Sequence, residues 1–376
     1  MTKITSVTAI PLTMAIEPGE HRTSWGDYPS VSIVLAEVTT DSGLRGYGEG
    51  LSRRCPRSTV SVITDLLRPV YLGQNPFHAE LLWSRAAGLR SGKLGGALLE
   101  AIAAVDIALW DIMGKATNQP IHALLGGMGR TKVAAYASAI SWDAEEIAMK
   151  QVLAAIQRNY KMIKVKLGAP ADRALEWARH MRDHVPAEIK LCADANCAYD
   201  LDDAIKVSRG LRDLGYYWLE EPLAADDIDG YRLLRANVPL RIAAGEGEHT
   251  SFGARQLIGS RAVGIIQPDC ARAGGITETR KIATVAHVFN VAYGPHVGAG
   301  GAVSAAANLQ LSAAMPNFIT YESMIFSSPL RDELATTPVG AVDPTDGLVP
   351  VPTGPGLGIE INHDALEKYR SAAPER

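Results

Sequence analysis

Three acidic residues, Asp194, Glu220 and Glu246, stand 26 residues apart, each at the end of a short apolar run. They offer only oxygen ligands, and three carboxylates completed by water or substrate suit a hard divalent cation, most simply Mg²⁺, better than zinc. Upstream, Lys164 and Lys166 flank Val165 in a β-branched run, so both side chains lean to one face of a strand. A lysine beside a second cation and a divalent metal loses basicity, which moves it toward neutrality and fits it to act as a general base. Downstream, Asp269 follows Gln267-Pro268 and His296 follows Tyr293-Gly294-Pro295, a setting in which a carboxylate on one strand orients an imidazole on the next and makes an acid/base pair. Glu322 closes the series.

The positioning elements follow from the spacing. Lys166, Asp194, Glu220, Glu246, Asp269, His296 and Glu322 are separated by 23 to 28 residues throughout, about one strand, one helix and two loops. That period predicts a (β/α) barrel, in which residues at the carboxyl ends of strands converge on one mouth. From Val133 onward the chain reads as eight short strands, VAAYAS, MIKVK, IKLCAD, YYWLEEP, LRIAAGE, VGIIQPD, NVAYGPH and FITYE, alternating with amphipathic helices such as Ala174 to His184 and Leu201 to Leu214. Residues 1 to about 50 alternate apolar and polar around the turn Asp41-Ser42-Gly43, as in an antiparallel meander. A helix over Leu98 to Lys115 follows, ended by Asn118-Gln119-Pro120, so the N-terminal part reads as α+β. The expected units are 1-127, an N-terminal α+β domain; 128-342, the barrel; and 343-376, a Pro- and Gly-rich connector with a short final element.

At 376 residues, two domains are expected, and 47% hydrophobic with 21% charged residues is a globular composition. A net charge of −4 argues against nucleic acid, although a locally positive pocket can still attract an anion. Cys55, Cys192, Cys197 and Cys270 contain no CxxC pair and read as buried free thiols. No apolar run reaches 18 residues and the N-terminus alternates like a strand, so no membrane segment or signal peptide is expected and the cytoplasm is the expected location. Gly298, Gly300, Gly301 and the pair Gly274-Gly275 match neither GxxxxGK[ST] nor GxGxxG; they read as tight turns opening helices whose N-termini could meet an anionic substrate.

The motifs KVK, DAN, EEP, GE, PD, PH and YES on strands two to eight, with the helix Asp106-Ile107-Ala108-Leu109-Trp110-Asp111 and the segment Leu124-Leu125-Gly126-Gly127, resemble the mandelate racemase subgroup of the enolase superfamily over nearly the whole chain. The resemblance implies a modified (β/α)₇β TIM-type barrel, covered by an N-terminal capping domain that the C-terminal segment completes. It implies Mg²⁺ at Asp194, Glu220 and Glu246, holding the carboxylate of a small-molecule substrate. Lys166 would remove the α-proton, His296 oriented by Asp269 would act on the opposite face, and Lys164 and Glu322 would serve the carboxylate of an enediolate intermediate. Asn196 and the cap residues His21, Arg22, Trp25 and Arg53, with Arg54 beside it, become candidate substrate contacts. Basic, polar cap loops favour a sugar acid and its dehydration. Lactone cycloisomerisation, suggested also by the tail Gly354 to Asn362, and 2-hydroxy acid racemisation are alternatives, as is a binding protein that has lost its chemistry. A homo-oligomer, from dimer to octamer, is implied as well.

Overall fold

The computed structural model describes residues 2–371. The N-terminal part opens with the long strand β1 (Ile4–Ala15), followed by a small hairpin of β2 (Arg22–Thr23) and β3 (Gly26–Asp27). β4 (Ser30–Thr40) and β5 (Arg45–Arg53) then join β1 in an antiparallel meander ordered β1-β4-β5. One face of this sheet packs on a helix, Gly96–Thr117, which ends at Asn118 in the left-handed conformation (φ 53°). Val34 and Val38 of the sheet meet Ile102, Val105 and Leu109 of the helix in a buried core, each such side chain contributing about 1.5–3 kcal/mol by leaving water.

The contact is close because β5 reads Gly46-Tyr47-Gly48-Glu49-Gly50-Leu51. Alternation puts the three glycines on the helix side, where a Cβ at Gly46, Gly48 or Gly50 would lie 2.3, 1.8 or 2.5 Å from the carbonyl oxygens of Ala108, Ala104 and Glu100. The opposite face carries Glu49, Leu51 and Arg53 toward the barrel. Leu51 N–H donates to Ala271 O at 3.1 Å.

Eight parallel strands form the barrel: β6 (Lys132–Ile140), β7 (Met162–Lys166), β8 (Lys190–Asp194), β9 (Trp218–Glu220), β10 (Arg241–Ala244), β11 (Ile265–Ile266), β12 (Ala292–Tyr293) and β13 (Tyr321–Met324). They run in the order β12-β11-β10-β9-β8-β7-β6-β13, and the ring closes where Tyr293 bridges Phe318 in parallel. Seven helices connect them, so the (β/α) barrel expected from the period takes the (β/α)₇β form that the family resemblance implies. β11 and β12 are two residues long where the apolar pattern extended further; Pro268 and Pro295, just beyond, lack the N–H a ladder needs. A further strand, β14 (Leu348–Pro350), runs antiparallel to the start of β6, and the chain returns to the N-terminal sheet, with Ser371 N–H on Pro11 O at 3.0 Å. No helix among the described residues is long and apolar enough to cross a membrane. All four cysteines are free, but only Cys192 and Cys270 are buried; Cys197 is half-buried and Cys55 exposed, because it sits in a loop before a short helix on the cap surface.

Candidate active site

β7, β8 and β9 lie side by side in a register that pairs Lys166 with Asp194 and Asp194 with Glu220, so three functional side chains stand in one row at the strand ends. Lys166 Nζ donates to Asp194 Oδ2 at 2.5 Å, and Lys164 Nζ meets Glu220 Oε1 and, at 2.8 Å, Glu322 Oε1. One strand further round, Glu246 lies 3.4 Å from His296 Nε2 and 3.4 Å from Arg53 Nη2. His296 Nδ1 donates to Asp269 Oδ2 at 2.9 Å. Glu322 Oε2 accepts Val297 N–H and Gly298 N–H at 2.8 and 3.1 Å, which ties the last barrel strand to the loop that carries His296.

Apart from Arg53, which is partly exposed, these groups are buried, so their charges act on one another strongly. Burial alone would raise Asp194, but Lys166 and Lys164 hold it below the usual carboxylate range. Burial raises Glu220 against the pull of Lys164, and burial with Glu246 and Asp194 nearby pushes Glu221 up. His296 is lowered by burial yet raised on balance, by Glu246, Glu322 and Asp269. Lys166 behaves likewise: burial lowers it, and Asp194 more than offsets that. Protein groups by themselves therefore raise Lys166, because acids outnumber bases around it; the lowering expected from the sequence is that of a lysine beside both Lys164 and a divalent cation.

That excess of acids is also a test of whether a metal fits. Asp194, Glu220 and Glu246 offer oxygens that all lie within 4.8 Å of one another, and they are buried where unbalanced carboxylates are costly. A hard divalent cation is the group such a donor set accommodates. Glu220 Oε2 accepts from Gln267 Nε2 at 2.7 Å and from Trp218 Nε1 at 3.3 Å, leaving Oε1 to the cluster.

Above the cluster lies a cavity of about 550 Å³, counting the part open to solvent. Lys166, Glu246, His296 and Glu322 face it from the barrel, with Asn196 and Ser138 at its edge. Lys164, Asp194 and Glu220 do not reach its wall and lie beneath. From the cap, His21, Tyr28, Arg53 and Arg54 complete the enclosure. Burial first, then Lys166 and Arg53, lowers His21 to about 3, so it is a neutral imidazole; its ring lies 4.9 Å from that of Tyr28 and 5.2 Å from that of Phe326. Arg54 lies over the Tyr28 ring at 5.4 Å.

Two candidate cap residues are placed elsewhere. Arg22 faces Asp27 at 3.9 Å across its own hairpin, and Trp25, at the tip, is 69% exposed. The hairpin is nevertheless fastened over the barrel, Ser24 Oγ donating to Asn196 O at 3.0 Å and Trp142 N–H to Arg22 O at 3.1 Å. Asn196, Cys197 and Glu221 adopt left-handed backbone at φ 44°, 61° and 39°, linked by Cys197 N–H on Glu221 O at 2.7 Å, so the turns beside the acids are held in strained conformations.

The helix N-termini expected to meet an anionic substrate are occupied from within. Glu49 accepts Gly301 N–H at 2.7 Å and Ser304 N–H at 3.0 Å, and Asp106 accepts Thr277 N–H at 3.0 Å. Both acids come from the cap, so these helix ends dock one domain on the other. Sequence reasoning passed over Glu49, Gln267 and Tyr28. For Glu49 a signal was present in the alternation of small and large residues along β5.

A model of the enolase C-terminal domain-like family matches residues 148–365, more than half the chain, and one of the mandelate racemase / muconate lactonizing enzyme N-terminal domain matches residues 4–126. The chain belongs to the enolase superfamily. As a member of its mandelate racemase subgroup it is an enzyme of the lyase or isomerase type. Superfamily relatives include D-galactarolactone cycloisomerase of Agrobacterium fabrum, 34% identical over 91% of this chain and 92% of that protein. Arabinonate dehydratase of Saccharolobus solfataricus is also 34% identical, over 90% and 91%. The crystal structure of 3,6-anhydro-D-galactonate cycloisomerase from Zobellia galactanivorans superposes with a TM-score of 0.87 at 30% identity, covering 98% of this chain and all of that one.

Proposed function

We propose that this enzyme dehydrates a sugar acid, an aldonate or aldarate, to a 2-keto-3-deoxy acid. The observation that carries the reading is that Lys166 and an Asp269-oriented His296 face one cavity, beside a buried carboxylate cluster suited to Mg²⁺. The names of relatives, arabinonate dehydratase among them, support the substrate class. Asp194, Glu220 and Glu246 would hold Mg²⁺, which when bound neutralises a substrate carboxylate and the charge that builds there. Lys166 takes the α-proton; the C–H electron pair moves into the carboxylate. His296, protonated and steadied by Asp269, gives its proton to the β-hydroxyl as the C–O bond breaks, and water leaves. The electron pair returns from the carboxylate to form the C2–C3 double bond as water leaves, and the resulting enol becomes the 2-keto acid by losing its C2 hydroxyl proton and taking up a proton at C3. Glu322, on the cavity wall, serves the carboxylate end of the substrate, and Lys164 holds Glu322 from below.

On the cap side, Arg53 and Arg54 supply charge and neutral His21 a hydrogen-bonding ring, a combination that suits the hydroxyls and distal end of a polyhydroxylated acid. Lactone cycloisomerisation is the second reading, favoured by the two cycloisomerase relatives and by the Gly354 to Asn362 tail; there a ring oxygen replaces the hydroxyl as leaving group. Free cysteines support a reducing, cytoplasmic setting, and exposed Phe252 and Val288 offer apolar surface for self-association. The test is a screen of mono- and diacid sugars and their lactones with Mg²⁺, detecting 2-keto acids with semicarbazide. Keto acid from an open-chain acid supports dehydration. Consumption of a lactone without water loss supports the second reading.

A further inference from the structure

Asp269 has to present one carboxylate oxygen to His296 in a fixed plane, yet its own loop supplies little to hold that plane. Oδ1 accepts Ala271 N–H at 2.8 Å, a contact between residues two apart that moves with the loop. The contact to Oδ1 from outside the loop is Asn308 Nδ2, at 3.2 Å. Asn308 is fully buried on the helix Ala302–Ala314, and its Oδ1 accepts Cys270 N–H at 3.2 Å. Because a backbone N–H can only donate and a carboxylate oxygen beside His296 accepts, the amide has one orientation that satisfies both neighbours. Nδ2 also reaches Ser304 O at 3.1 Å, so the side chain is braced against its own helix. That helix is in turn gripped at its N-terminus by Glu49 of the cap.

We propose that Asn308 is a positioning residue for the Asp269–His296 pair: it clamps Oδ1 and the loop N–H together, and so directs Oδ2 at His296 Nδ1. The proposal rests on the reading of His296 as an acid/base group only for its kinetic consequence; the clamp itself is a structural claim. A residue that merely filled space would leave the Asp269 to His296 hydrogen bond unchanged when replaced by one of similar volume.

The experiment uses the full chain labelled with ¹⁵N-histidine, and follows the downfield proton on His296 Nδ1, assigned by its loss in His296→Asn. Asn308→Leu keeps the volume and removes the amide; Asn308→Ala is the milder variant should the first not fold. The clamp predicts that in either variant this resonance moves upfield or vanishes by exchange, while the other histidine signals stay in place. With the sugar acid identified by the keto-acid screen, kcat should fall tenfold or more and KM change less than threefold. An unshifted His296 resonance in a folded variant overturns the proposal, as does the absence of that resonance in the parent protein. If instead His296→Asn turns over normally, the acid/base reading falls, and the clamp is judged by the resonance alone.

Discussion

In the proposed reaction proton removal falls to Lys166, since Lys166 lines the cavity while Lys164 stays below. Lys166→Ala should lower turnover on the order of 10³-fold, within the range for general base catalysis, with circular dichroism unchanged; turnover within tenfold of the parent would remove Lys166 from the mechanism. Asp269→Asn leaves the metal ligands untouched but gives His296 a poorer partner, and a loss of roughly 10²-fold in kcat is expected. Calorimetry should find Mg²⁺ binding to Asp269→Asn near that of the parent. Gln267→Leu should do the opposite. It frees the outer oxygen of Glu220, and a loss of about tenfold or more in Mg²⁺ affinity is expected, as for other partners that orient metal ligands. Equal affinities in the calorimeter would show that Trp218 alone suffices to hold Glu220.

At the scale of elements, β5 does two jobs through alternation. Its glycines lie on the long cap helix, while Glu49, Leu51 and Arg53 touch the loops that follow β12, β11 and β10. Gly48→Ala sets a methyl against the backbone of Ala104, which cannot rotate away. A loss of about 3 kcal/mol is expected, at the upper end for overpacking, and a urea midpoint equal to that of the parent would contradict the close approach. The repeat that gives each barrel strand its terminal functional residue was legible because one β/α unit has a nearly constant length, so Lys166 through Glu322 could be counted off. The partners of those residues were not. Gln267, Asn308 and Glu49 act on groups 47, 39 and more than 250 residues away, and no local pattern records which helix or strand a polar side chain will meet. Arg22 and Trp25 show the same limit, since nothing in a short polar segment says which side of a hairpin faces the cavity. The charges around Lys166 show it again: spacing marks Asp194, Glu220 and Glu246 as metal ligands, but not that the same acids also stabilise the lysine's ammonium.

For the whole molecule, the cap is part of the site and not merely a cover. His21, Tyr28, Arg53 and Arg54 close the cavity from the N-terminal part, Lys166, Glu246, His296 and Glu322 from the barrel, and buried Glu49 and Asp106 pin the two together at helix N-termini. Under the proposed function the cap would choose the sugar while the barrel keeps the proton chemistry constant, which accords with dehydratases and cycloisomerases occurring among the relatives. The most direct test of the account is proton NMR of the enzyme with Mg²⁺ and a panel of sugar acids and lactones in D₂O. The account predicts that at least one compound loses its α-proton signal, with the loss abolished in Lys166→Ala. A folded, Mg²⁺-binding enzyme that leaves every α-proton in place would contradict it.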